Sequence, residues 1–104
     1  MGTVAVISKQ YWTTRSPIQP GSALWLSWPL GSAPSTLGTY AITAIPNESA
    51  SGYYTMSVRE LHITKRSWQQ GDINYWEYYV GANCNNTGNL PVKNFITFVS
   101  RVNE

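Results

Sequence analysis

Branched and aromatic residues (Val, Ile, Thr, Tyr, Phe and Trp) fill short runs along the chain, and Pro or Gly cuts these runs about every ten residues. Such side chains pack well on a pleated surface, and no run carries a helical period, so the pattern predicts strands. Thr3 to Lys9 is the first, ending before Tyr11, Trp12 and a breaker-rich loop from Arg15 to Gly21. Leu24 to Trp28 is the second, stopped by Pro29. The stretch from Pro29 to Gly38 reads as a long loop, and Thr39 to Ile45 as the third strand, before Pro46 to Gly52 turns the chain. From Tyr53 to Ser67 the alternation changes phase: Met56 and Val58 lie on one parity, Leu61 and Ile63 on the other, which predicts a bulge or a break near Arg59 and Glu60. Ile73 to about Cys84 and Leu90 to Val102 complete the set.

Turns at this spacing, with no crossover helix, predict an all-β chain. The expected architecture is an antiparallel β-sandwich of six to seven strands in a single domain over residues 1–104. An immunoglobulin-like arrangement is one form of it, and a small β-barrel is the alternative. The segment from Val80 to Val92 resembles the closing hairpin of many immunoglobulin-like modules, although the Cys-Trp-Cys core of antibody domains is absent.

Turn chemistry then sets the register. A tight turn centred on Gln70-Gly71 places Leu61 opposite Val80 and Ile63 opposite Tyr78 on one face, with His62 opposite Tyr79, Thr64 opposite Glu77 and Arg66 opposite Tyr75 on the other. A hairpin loop from Asn85 to Asn89 places Cys84 opposite Leu90, Ala82 opposite Val92, Tyr78 opposite Ile96 and Trp76 opposite Phe98. Both turns gather the same apolar face, which is the expected core, with Trp76 its most costly residue to truncate on the fifth strand. The opposite face carries His62, Thr64, Arg66, Trp68, Tyr75, Glu77 and Tyr79, followed by Phe95, Thr97 and Val99.

Composition narrows the function classes. Only 12% of residues are charged, about half the usual share, while 13% are aromatic, including five Trp and seven Tyr, which argues against disorder. The net charge of +2 comes from scattered basic residues, which is no footprint for duplex nucleic acid. A single cysteine, Cys84, excludes an intrachain disulfide. No run of about 18 apolar residues can span a bilayer, and the first residues lack the basic region of a signal peptide. A soluble protein is expected, cytoplasmic or mature secreted. Asn47-Glu48-Ser49 and Asn85-Asn86-Thr87 are glycosylation sequons if the chain is secreted.

Catalytic and metal chemistry find little material. Cys84 and His62, the only thiol and the only imidazole, fall on opposite faces. Glu60 and Glu77 are a weak glycosidase pair, because their register partners are Gly81 and Thr64. No set of zinc ligands assembles, and the asparagines from Asn83 to Asn89 suit a turn better than a calcium site, so no cofactor is expected. Single-stranded nucleic acid would want aligned Lys and Arg beside the rings, and these are missing. The face bearing His62, Arg66, Trp68, Tyr75, Glu77 and Tyr79 therefore carries the functional expectation: a non-catalytic, lectin-like module binding a carbohydrate or other hydroxylated ligand. The competing expectation is an assembly domain that uses the same face, with Phe95 and Val99, as a homo-oligomer interface. Cross-strand pairing alone, with Arg66 stacked on Tyr75, is the purely structural account of the same residues.

Overall fold

The computed structural model describes residues 3–32 and 38–103. Six strands follow in order: β1 (Thr3–Ile18), β2 (Ala23–Gly31), β3 (Thr39–Pro46), β4 (Met56–Gln70), β5 (Ile73–Asn86) and β6 (Val92–Asn103). All pairings are antiparallel and form two three-stranded sheets, β1-β6-β3 and β2-β5-β4. The expected all-β sandwich is thus what the chain forms. Among the described residues there is no helix long and apolar enough to cross a membrane. The strand order is that of a long hairpin rolled up on itself, with β1 on β6 and β2 on β5, as in jelly rolls. The immunoglobulin-like variant gains no support, since there the first two strands share a sheet, whereas β1 and β2 lie in different ones.

The core forms where the inner faces of the two sheets meet. Trp28, Val80 and Ala82 from one sheet pack with Tyr40, Ile42 and Val99 from the other, and Ile18, Val92 and Phe95 make a second cluster. The period of two decides which residues go inside: in β3 Tyr40, Ile42 and Ala44 are buried while Thr39, Ala41, Thr43 and Ile45 are exposed. Trp12 fills the seam between the clusters, stacked on Phe95 at 6.1 Å between ring centroids, with its Nε1–H donated to Thr97 Oγ1 at 2.8 Å. Cys84 is fully buried, and burial pushes its thiol pKa up to about 11, so it stays protonated and inert at neutral pH.

Several expectations give way. β1 runs on through Tyr11 and Trp12 to Ile18, absorbing Pro17 in an irregularity between Thr13 and Ile18. β2 continues past Pro29, which an edge strand tolerates next to a register shift. Residues 33–37 of the expected long loop lie outside the described residues. The β4–β5 turn is centred one residue further on, at Gly71-Asp72, so Trp68 faces Tyr75 and Arg66 faces Glu77. Thr64 accordingly faces Tyr79, and His62 faces Gly81. This moves each partner by two positions and leaves the faces intact. The expected β5–β6 hairpin does not exist: β5 pairs with β2 and β4, and β6 with β1 and β3. Packed across the core from β5 instead of beside it, β6 buries Phe95, Thr97 and Val99, so these three leave the aromatic face entirely.

The β4–β5 hairpin also outruns its neighbours. β5 pairs with β2 only as far as Tyr78, and beyond that point it has β4 alone, which gives a two-stranded arm. Trp76 lies on this arm, 41% exposed and tied to the Ser32 carbonyl by its Nε1–H at 2.6 Å, and is not a core residue. Leu61 and Ile63 are likewise exposed, at 42% and 44%. The radius of gyration, 16.1 Å, exceeds the ~13 Å of a compact chain of this length, as the 54 Å long axis requires.

Two polar clasps hold the strand ends. Asn86, wholly buried, donates from Nδ2 to the Ile18 carbonyl at 2.8 Å and to the Leu90 carbonyl at 2.7 Å, while its Oδ1 accepts from the Gly88 N–H at 3.0 Å. Its backbone exchanges bonds with Gly21 and Ser22 at 2.9 Å each. Glu48, just past β3, accepts from the backbone N–H groups of Asn94 at 2.7 Å and Lys93 at 2.5 Å and from Asn94 Nδ2 at 3.2 Å. These donors, led by the Asn94 and Lys93 backbone, hold its carboxyl below the usual carboxylate range.

Replacing Asn86 by Ala strands two carbonyls and an N–H, each costing ~1–3 kcal/mol, so urea denaturation should show a loss of at least about 3 kcal/mol. Phe95→Ala should cost about 3–5 kcal/mol, and Trp76→Ala about 1 kcal/mol or less. The Glu48 clasp is fully formed above the ordinary carboxylate range and is lost as pH falls through the lower folded pKa. Wild-type Tm should therefore drop more steeply with acid than that of Glu48→Gln, the two converging at low pH.

Candidate functional site

The outer face of β2-β5-β4 is built around a bulge. Through Val58, which pairs with Cys84, the even positions of β4 face the core. Glu60 then adopts a left-handed φ of 58°, the only positive φ of a non-glycine residue among those described, and the register shifts between Arg59 and His62. One extra residue reverses the parity, so Ile63 pairs with Val80 on the inner face and His62 turns outward. The bulge sits where the change of phase in the sequence places it. A left-handed conformation costs a non-glycine residue roughly 1 kcal/mol, and here two hydrogen bonds of Glu60 hold the geometry. The Glu60 carbonyl accepts from His62 Nδ1 at 2.8 Å, and its carboxylate accepts from Asn83 Nδ2 at 3.0 Å. With Nδ1 donating, the neutral ring presents Nε2 as an acceptor.

His62 on β4 stacks on Trp25 of β2, with centroids 4.5 Å apart and planes 22° from parallel. The two strands are not neighbours: β5 runs between them, so their backbones are separated by two strand spacings, about 9.6 Å. The rings approach across Gly81, the register partner of His62 on one side and of Ser27, two residues along β2 from Trp25, on the other. A Cβ there would stand 3.0 Å from His62 Cε1, 3.1 Å from Nε2 and 3.2 Å from the Leu26 carbonyl oxygen. Glycine thus clears the floor on which the imidazole lies.

Trp25, Ser27, His62, Thr64, Arg66 and Tyr79 line an open cleft of about 370 Å³ on this face. It lies within the size range of small-ligand sites. Tyr79 is oriented by donating its hydroxyl to Glu77 Oε2 at 2.9 Å. Of the residues expected from the sequence, His62, Arg66 and Tyr79 line the cleft and Glu77 positions Tyr79. Trp68 and Tyr75 share the face but sit out on the arm, stacked on each other at 5.6 Å with Arg66 over the Trp68 ring at 4.8 Å. The expected stack of Arg66 on Tyr75 is thus replaced by one on Trp68. Trp68 is half-buried. The sequence reading missed Trp25, Ser27 and Gly81. Trp25 and Ser27 alternate with the inward Leu24, Leu26 and Trp28, so the signal for their outward facing was present, but not the pairing of β2 with β5.

A second, more polar cleft of about 470 Å³ opens at the other end of the same face, lined by Arg59, Glu60, Asn83, Asn85, Thr87 and Gly88 among others. No group of three or more His, Cys, Asp or Glu residues that could hold a metal ion occurs among the described residues. Family models, curated proteins and solved structures offer no match to the chain, so the chemistry of these clefts is argued from their own residues.

Gly81→Ala should fold with reduced stability and push the imidazole off the sheet. The chain has a single histidine, so the His62 ring protons can be followed alone by NMR. Their ring-current shift from Trp25 should shrink in Gly81→Ala and vanish in Trp25→Ala. Unmoved resonances in Gly81→Ala would refute the role given to the glycine.

Proposed function

We propose that the protein is a non-catalytic, lectin-like recognition module that binds a carbohydrate in the cleft between Trp25, His62 and Tyr79. The observation that carries the reading is the Trp25 ring, 50% exposed yet fixed by its stack on His62, in a cleft that also offers directional polar groups. A sugar presents an apolar C–H face and a girdle of hydroxyls. A flat ring meets the first, and the hydroxyls of Ser27, Thr64 and Tyr79, the Arg66 guanidinium and His62 Nε2 meet the second. Trp25, His62, Arg66 and Tyr79 are held by their stacks and hydrogen bonds before the ligand arrives, so they lose little freedom on binding.

What favours binding over turnover is the placement of the carboxylates and the thiol. Glu60 and Glu77 are engaged by Asn83 and Tyr79, and only Glu60 lines a cleft, the polar one. Cys84 points into the core, away from His62. The assembly reading through this face loses its apolar contributors, because Phe95 and Val99 are fully buried.

The test is a glycan array followed by calorimetric titration of the hits. Trp25→Ala should weaken binding at least about tenfold, equivalent to about 1.4 kcal/mol, while Tm and the mass by light scattering stay unchanged. A blank array, or binding indifferent to Trp25, would overturn the reading.

A further inference from the structure

Resting on that reading, we infer that the ligand is a linear, uncharged oligosaccharide of at least three rings, and that the Asn83–Thr87 cleft is its second subsite. Both clefts open on one face along the same strand: Asn83 and Asn85 follow Tyr79 and Gly81 at two-residue intervals on β5. The six steps from Tyr79 to Asn85 span about 20 Å, several times the width of one pyranose ring. Trp25 is the register partner of Asn83, so the stacked Trp25–His62 pair stands at the boundary between the clefts. A ring seated on Trp25 has its neighbours on either side over polar groups.

The two ends differ in chemistry. The Trp25 cleft combines an aromatic platform with hydroxyls. The Asn83–Thr87 cleft has no aromatic lining and offers planar amides, a hydroxyl and one Arg with one Glu, a set that suits hydroxyls rather than a ring face or a net charge. Asn85 and Thr87 have no side-chain hydrogen bond among the described residues, so their donors and acceptors remain for a ligand. Glu60 couples the ends mechanically, gripping Asn83 with its carboxylate and His62 with its carbonyl.

Cello-, xylo- and chito-oligosaccharides of one to six units, titrated calorimetrically into the wild type and into Asn85→Ala, Thr87→Val and Trp25→Ala, test this. In the series that binds, affinity should rise about tenfold or more between two and four units and then level off. Asn85→Ala and Thr87→Val should each weaken the hexamer several-fold and leave the dimer unchanged, while Trp25→Ala weakens both. Thr87 is exposed at the cleft rim, so its variant leaves the fold intact. Length-independent affinity, or equal loss for dimer and hexamer, overturns the second subsite while the recognition reading stands. Failure of every series overturns the linear, uncharged ligand and its second subsite, and a blank array besides overturns the recognition reading too.

Discussion

The chain must change sheets between β5 and β6, and the buried amide of Asn86 is what holds that crossing. A strand that leaves its sheet exposes carbonyls and N–H groups that the ladder no longer satisfies, and inside a core each unpaired group is costly. Asn86 answers with a two-donor, one-acceptor side chain, bonding Ile18 at the end of β1, Leu90 before β6 and Gly88 in the connection, while its backbone holds the start of β2 through Gly21 and Ser22. Strands of both sheets thus converge on one side chain. An apolar residue of the same size would fill the volume and leave the three backbone groups stranded. A carboxylate would keep the acceptor but lose both donors and bury a charge.

That crossing also explains what was legible in the sequence and what was not. Strand existence, the all-β class and the bulge near Glu60 follow from local chemistry: branched residues, breakers and a change of parity at Leu61. The face assignment of the β4–β5 hairpin survives a misplaced turn, because moving the centre by one residue moves each partner by two and period-two faces are preserved. For β6 no such protection exists. Read as a hairpin partner of β5, it would share the parity of Ala82 and Val92. Packed across the core in the other sheet, it presents Phe95, Thr97 and Val99 instead. Asn, Thr and Gly between Asn85 and Asn89 suit a hairpin and an arch between sheets equally well, so local turn chemistry does not distinguish them. Trp76 misleads for a related reason: its parity is that of the core, but the strand there has passed beyond β2 and there is no core left to face.

The site depends on two residues that act through the backbone, the left-handed Glu60 and Gly81. Without the extra residue at Glu60, His62 would keep the parity of Met56 and Val58 and point inward; the left-handed backbone at Glu60 sends it out. Without Gly81, a Cβ on β5 would press on the imidazole where it lies across the middle strand toward the indole of β2. Composition and parity could find the aromatic and charged residues of this face. They could not show that a glycine on the middle strand brings two of them into contact, because that contact requires knowing the third strand of the sheet.

The placement of these residues divides the energetics. Trp25, Ser27, Thr64, Arg66 and Tyr79 project from the outer face, away from the inner layer of Trp28, Val80, Ala82 and Cys84, so changes to them share few partners with the core and their effects on binding and stability should separate. Gly81 is the exception. Its absent Cβ leaves room for the His62 ring and also for the Leu26 carbonyl, a backbone atom of the β2 edge that cannot move aside as a side chain can. Any side chain at this position strains the sheet and the cleft together. At Gly81, therefore, the packing of the sheet and the shape of the cleft cannot be varied independently.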